Sequence, residues 1–268
     1  MLDLQTISYF LALGSFVGVV SGLFGIGGGG IIVPVLTAIF LSHNTISQEN
    51  VVHLALGTSM AIIIITSISS IKAQQKKKAI IWYVVKMMVP GILIGTFLAT
   101  FVASKLDSFI LSIIFSLFMF YSAVTMFFGK KPKPENKVFT AKTHILSGGL
   151  IGALSSLVSI GGGIMSVPYL LLQNIDIKKA IATSSAIGLP IAISGTLGYI
   201  INGWEYSSIE NYTLGFVSIP ALICVATASF LTAPIGVMLV HKINVNLMKK
   251  LFSILPFVLS IKMLISFI

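Results

Sequence analysis

The sequence turns on Gly25-Ile26-Gly27-Gly28-Gly29-Gly30-Ile31-Ile32-Val33-Pro34. This stretch interrupts an apolar run, residues 7–41, that as one helix would be about 52 Å long, against a hydrocarbon layer of about 30 Å. The run must therefore fold back at its glycines, which tolerate backbone angles that other residues avoid. The piece after the break, 31–41, is short for a full crossing. It is a steep half-helix or the return limb of a re-entrant hairpin, and the sequence leaves both open.

The stretch has an echo. It aligns without a gap on Ser159-Ile160-Gly161-Gly162-Gly163-Ile164-Met165-Ser166-Val167-Pro168. The same register carries Gly14, Gly18 and Gly22 onto Gly148, Gly152 and Ser156, a ridge of small residues that lets helices approach closely. Ala55-Leu56-Gly57-Thr58-Ser59 meets Ala180-Ile181-Ala182-Thr183-Ser184 once the preceding loops are allowed to differ in length. The chain thus reads as two copies, 1–128 and 145–268. Between them lies a polar linker, 129–144 (GKKPKPENKVFTAKTH), whose Pro, Lys and Asn content marks it as solvated.

Of 268 residues, 56% are hydrophobic and 9% charged. A soluble domain carries roughly a quarter charged residues, so this chain is solvated by lipid. Eight apolar blocks cover 7–41, 52–71, 79–102, 108–128, 145–172, 180–201, 213–240 and 247–268. None alternates as barrel strands do, and backbone in lipid must bond internally, so the blocks read as helices. The expected fold is an all-α polytopic membrane protein with eight to ten membrane helical segments, the first helix of each copy broken at glycine. The leader before the first block carries Asp3 and no Lys, which argues for a retained helix over a secretion signal.

The net charge is +10, and all 17 basic residues are lysine. Without Arg, which reads bases and phosphates bidentately, specific nucleic-acid recognition is excluded. The lysines instead orient the chain. In the first copy the loop after the second block is basic (Lys72, Lys76, Lys77, Lys78), while the loop at Lys105 carries one lysine. In the second copy the bias reverses: the loop 202–212 has none and carries Glu205 and Glu210. Its neighbours carry Lys178 and Lys179 on one side and Lys242, Lys249 and Lys250 on the other. By the positive-inside rule the two copies sit inverted in the cytoplasmic membrane, with the linker cytoplasmic.

Irregular backbone at membrane depth survives only where protein or a wet cavity encloses it, so the glycine breaks are packing turns or parts of a binding site. Pro34 and Pro168 each fall where the first turn of a following helix is expected. A helix start offers unbonded N–H groups and a partial positive charge, and two of them meeting near the bilayer midplane would hold an anion without a charged side chain. The candidate substrate site is therefore Gly27, Gly28, Gly29, Gly30, Gly161, Gly162 and Gly163, with the hydroxyls of Thr58, Ser59, Thr183 and Ser184 as further donors. Ser185 lies beside them. Each hydroxyl could equally bond a carbonyl four residues back in its own helix.

Other candidates carry less. Cys224 has no partner and reads as a small buried hydrophobe. Lys86 and Lys262 read as side chains reaching to the membrane surface, or as attractors in a cavity. His53 reads as an interfacial residue, or as a proton carrier. No acidic pair supports a carboxylate relay, no metal-ligand or catalytic set is in view, and no cofactor is called for. The partners expected are a small anion, the lipid bilayer and, left open, a second copy in a homo-oligomer. The functions compatible with this are a secondary transporter working by alternating access as its two halves rock, an anion channel, or a structural membrane subunit.

The paired glycine stretches, each ending in Val-Pro (Val33-Pro34, Val167-Pro168), together with Ala55 to Ser59, resemble the sulfite exporter TauE/SafE family of membrane permeases. The resemblance covers nearly the whole chain. It implies a bacterial or archaeal inner-membrane carrier that exports sulfite or small sulfur-containing organic anions, with Gly27 to Gly29 and Gly161 to Gly163 in the transport site. The chain departs from internal symmetry where Ser159 stands for Gly25 and Ala182 for Gly57.

Overall fold

The computed structural model describes residues 3–25, 27–42, 48–128, 139–209, 211–240 and 245–265. Expectations placed on Ile26, His43, the linker 129–138, Glu210, His241 and Lys242 lie outside them, as do the side chains of Lys249 and Lys250.

Ten α-helices form among the described residues: α1 Leu4–Phe24, α2 Gly29–Ser42, α3 Val51–Gln75, α4 Trp82–Ser104, α5 Ser108–Phe128, α6 Ala141–Leu157, α7 Gly163–Leu172, α8 Ile177–Asn202, α9 Ile219–Val240 and α10 Val245–Ile265. Six are long and apolar enough to cross a membrane, so the chain is an all-α polytopic membrane protein. At 1.5 Å per residue α2 is about 21 Å long and α7 about 15 Å, both short of the hydrocarbon layer.

Local chemistry fixes several ends. Asp3 accepts from the Thr6 N–H at 3.3 Å and starts α1, and Asp176 accepts from the Lys178 N–H at 2.9 Å and starts α8. Thr140 caps α6 in the same way, so the helix begins at Ala141 and takes in the last four residues expected to be linker. The seventh apolar block also needs correction. Its first residues, Thr213–Leu214 and Val217–Ser218, pair as a two-stranded hairpin (β1, β2), and α9 starts only at Ile219. Gly215, at φ 55°, turns that hairpin, and a glycine inside an apolar run was the unread sign of it.

The helices pack in exchanged pairs. α1 lies on α9 and α4 on α6, while α3 crosses α8 and α5 meets α10; α3 also touches α9, and α4 touches α8. Each of the four long helices of the first half thus finds its main partner in the second, while the short α2 lies mainly on α3. Because lipid is as apolar as leucine, close van der Waals contact rather than apolar burial joins such helices. The glycine ridges supply it. A Cβ added at Gly14 would stand 2.5 Å from the Val225 carbonyl oxygen of α9, and one at Gly152 would stand 2.9 Å from the Ile92 carbonyl oxygen of α4. At the centre α3 and α8 are the most enclosed of the long helices.

Candidate functional site

At the first break Gly25 takes a left-handed conformation (φ 68°) and its N–H closes α1 on the Ser21 carbonyl at 2.9 Å. Gly27 and Gly28 follow at φ 75° and 82°, and the N–H groups of Ile31 and Ile32 both bond the Gly28 carbonyl. The second break repeats this with Ser159 at φ 46° and Gly162 at φ 75°, the Gly162 carbonyl accepting from Met165 and Ser166. Both short helices therefore begin within the glycines. Pro34 and Pro168 are each the sixth residue of their helix, not part of the first turn as the spacing predicted. Glycine can enter helical geometry earlier than the proline position suggests. The proline then withholds the N–H that would have met the carbonyl four residues back, that of Gly30 or Ile164.

The two breaks touch. A Cβ on Gly27 would lie 3.0 Å from the Gly161 Cα and 3.1 Å from the Ile63 Cγ2, and one on Gly188 would lie 2.8 Å from the Gly161 carbonyl oxygen. Gly29 sits so close to the Ser159 carbonyl that only hydrogen fits between them. Ile63 and Gly188 are near the middles of α3 and α8, so the breaks meet halfway along the enclosed pair. The remaining glycines are buried in firm contact: an added Cβ would run into Val17 at Gly28, stand 2.8 Å from the Met119 Cε at Gly30 and 2.6 Å from the Ile191 Cδ1 at Gly162, and Gly163 opens α7.

The hydroxyls divide. Ser184 reaches the first break, donating to the Gly25 carbonyl at 3.1 Å and accepting from Ser166 of α7 at 2.8 Å. Ser59, its counterpart on α3, is fully buried, and among the described residues its Oγ has no partner. Thr58 and Thr183 stand away from the breaks. The Thr58 Oγ1 accepts from the Ser218 N–H just before α9 (2.8 Å), and the Thr183 Oγ1 accepts from the Ile81 N–H just before α4 (3.0 Å). Each threonine thus holds the start of a helix in the other half, a role the sequence did not suggest. Ser185 does bond within its own helix, to the Ile181 carbonyl at 3.2 Å.

Ser159 joins the site without having been chosen from sequence. Its left-handed φ is strained for a residue with a Cβ. Its hydroxyl donates to the Leu56 carbonyl at 3.1 Å, whereas a Cβ at Gly25 would meet the matching Ile181 carbonyl at 2.6 Å. The departure from symmetry at Ser159 is therefore a bond between the second break and α3.

Lys86 and Lys262 are exposed on the outside of the bundle, the position that suits side chains reaching to the membrane surface. His53, near the start of α3, is enclosed by protein: it is 2% exposed, with Nε2 3.1 Å from the Ala103 carbonyl oxygen and its ring tilted 30° to that of Phe216 at 5.0 Å. His144, read as the end of the linker, is equally buried in α6 with Nδ1 2.8 Å from the Tyr169 hydroxyl. An open cleft of about 560 Å³ between α3, α8 and α9 is lined by Ile64, Ile65, Leu222 and other apolar side chains, and it offers an anion almost nothing polar. No group of three or more His, Cys, Asp or Glu among the described residues could hold a metal.

The class this defines is a polytopic membrane protein whose helical bundle is broken by two touching glycine turns halfway along its two most enclosed helices. The comparisons with known proteins make it a membrane transporter. Residues 10–263 match the family model described as "Sulfite exporter TauE/SafE", and the chain belongs to that family. It is 35% identical over 254 residues to a probable membrane transporter protein of Haemophilus influenzae, covering 94% of this chain and 96% of that one. It is 30% identical over 260 residues to a probable membrane transporter protein of Methanocaldococcus jannaschii, covering 95% and 94%. A Bacillus subtilis protein of the same description, YunE, is 29% identical over 221 residues, 74% of this chain and 80% of that one. No solved structure matches.

Proposed function

We propose that the protein is a secondary transporter of the bacterial cytoplasmic membrane that moves a small anion, sulfite or a related sulfur-containing organic anion, by alternating access. The observation that carries this reading is the meeting of the α2 and α7 starts at Gly27 and Gly161, halfway along α3 and α8. Backbone N–H groups at two helix starts, unbonded within their helices, and a nearby hydroxyl, Ser59, give an oxyanion donors without a fixed positive charge. A site of this kind binds weakly enough to release its cargo. The lysine bias supports a cytoplasmic linker, and the exchanged helix pairs support two inverted copies.

Radiolabelled sulfite counterflow into vesicles loaded with unlabelled sulfite tests the reading. A carrier exchanges label against the loaded anion, and a channel gives unitary currents in a bilayer instead. A thermal-shift series with sulfite, thiosulfate, sulfate, sulfonates and carboxylates identifies the cargo, since a ligand of the native state raises Tm by mass action. Vesicles that neither exchange nor conduct any of these anions would leave the chain a structural subunit.

A further inference from the structure

Gln74 is wholly buried in the last turn of α3, although Lys72 and residues 75–78 around it are exposed. Among the described residues neither its Oε1 nor its Nε2 has a hydrogen-bond partner, and the same is true of the Oγ of Ser70, one turn earlier. Native interiors rarely leave a primary amide unmet at both ends, and such exceptions call for a function or an occupant.

The surroundings of these two residues follow from register. α3 and α8 run antiparallel: Cβ atoms built on Gly57, Gly195 and Gly188 would lie 3.0 Å from the Tyr199 Cβ, 3.1 Å from the Met60 Sδ and 3.4 Å from the Ser67 Oγ. Continuing that register brings Ser70 level with Ser185 and Gln74 level with Ile181. Both partners lie against Gly25, whose added Cβ would stand 2.6 Å from the Ile181 carbonyl oxygen and 3.1 Å from the Ser185 Oγ. At 3.6 residues per turn Ile63, Ser70 and Gln74 fall within about 40° of one another on α3. Ile63 touches both Gly27 and Gly29. The unmet polar groups therefore share the side of α3 that faces the glycine crossing, and they run from it toward Lys76, Lys77 and Lys78.

A short strap closes that end. Ala79 and Ile80 are buried, the Ala79 N–H bonds the Gln74 carbonyl at 3.4 Å, and the Ile81 N–H is held by the Thr183 Oγ1 at 3.0 Å.

We propose that Gln74 and Ser70 form a hydrogen-bonding station for the transported anion in a passage leading from the glycine crossing to the lysine-rich loop, with residues 79–81 as its cover. The Nε2 amide and the Ser70 hydroxyl are neutral donors suited to the oxygens of a sulfite-like or sulfonate anion. Release of the Ile81–Thr183 bond opens the cover. This rests on the anion-transport reading of the glycine centre, and its test is arranged so that the two can fail separately.

The single native cysteine makes the experiment direct. In the full chain with Cys224→Ala, Gln74→Cys and, as a fully buried comparison, Met88→Cys are placed in sealed vesicles of both orientations. They are treated with membrane-impermeant methanethiosulfonates carrying either a sulfonate or a trimethylammonium group. Position 74 should react at least about tenfold faster than position 88, only from the face bearing Lys76 to Lys78, because accessibility to water sets thiol reactivity. After correction for reactivity with a free thiol, the sulfonate reagent should be preferred, and adding Thr183→Val should speed the reaction. A position 74 as inert as position 88, or one preferring the ammonium reagent, overturns the proposal. Anion-selective labelling in a protein whose wild type shows no sulfite counterflow sinks the sulfite reading and keeps the passage. Normal counterflow with an inert position 74 does the reverse.

Discussion

Replacing Gly27 by alanine separates a packing turn from a transport centre. The backbone there has φ 75°, a left-handed conformation that disfavours any Cβ by about 1–2 kcal/mol. The new Cβ would also stand 3.0 Å from the Gly161 Cα, 3.1 Å from the Ile63 Cγ2 and 3.2 Å from the Gly161 nitrogen, closer than ordinary contact. Two of those atoms are backbone and cannot swing aside, so crowding adds roughly 1–3 kcal/mol. The total, about 2–5 kcal/mol, lies within the usual 5–15 kcal/mol of native stability, and the variant should fold with Tm lowered by roughly 5–15 °C. Gly149→Ala is the matched control. Its Cβ meets nothing nearer than the Gly91 carbonyl oxygen at 3.5 Å, in a helix where alanine is favoured by about 0.5–1 kcal/mol. Thermal unfolding in detergent gives the stability, and sulfite counterflow per folded molecule gives the function. Gly27→Ala should lose most of its exchange because the breaks are forced apart, while Gly149→Ala keeps exchange and stability. A Gly27→Ala protein as stable as wild type would refute the contact argument, and one with full exchange would remove the breaks from the pathway.

Three further outcomes follow from hydrogen bonds, two between the halves and one at a helix start. Thr58→Val leaves the buried Ser218 N–H unmet and should cost about 1–3 kcal/mol in unfolding experiments, whereas Thr58→Ser should cost far less; equal effects would deny the bond its role. At Ser159, glycine relieves the left-handed strain while losing the bond to Leu56, and alanine loses the bond and keeps the strain, so Tm should rank glycine above alanine. Asp176→Ala removes the cap of α8 and should lower stability by about 0.5–2 kcal/mol, with Asp176→Asn recovering most of it; an alanine variant of unchanged Tm would contradict the capping geometry.

Much of this architecture was legible in the residues because lipid leaves few choices. Apolar length fixed the long helices, and an apolar run too long for one crossing located the first break. The ridge at Gly14, Gly18 and Gly22 was readable as a contact surface because small residues have that one use between membrane helices. The proline rule misled, since it locates a helix start only when the residues before it resist helical geometry, and glycines do not. The block at 213–240 was read as uniformly helical because Val217 and Phe216 are apolar in a strand as in a helix. The hydroxyls were legible as a repeated pair but not as partners. Which backbone group Thr58 or Thr183 meets depends on a helix start in the other half, and local sequence carries no record of that. Gln74 is not legible because beside Gln75 and three lysines it reads as part of a solvated loop, whereas the fold buries it.

The exchange of helices between halves also bears on what can move. α1 is seated on α9 and α6 on α4 by glycine-to-backbone contacts with no slack in them. A swing of residues 1–128 against 145–268 as two blocks would have to tear both seams at once. The units that packing holds together are composites of the two halves, one built around α1 and α9 and the other around α4 and α6, with α3 and α8 between them. On that account the chain's order of residues is a poor map of its packing.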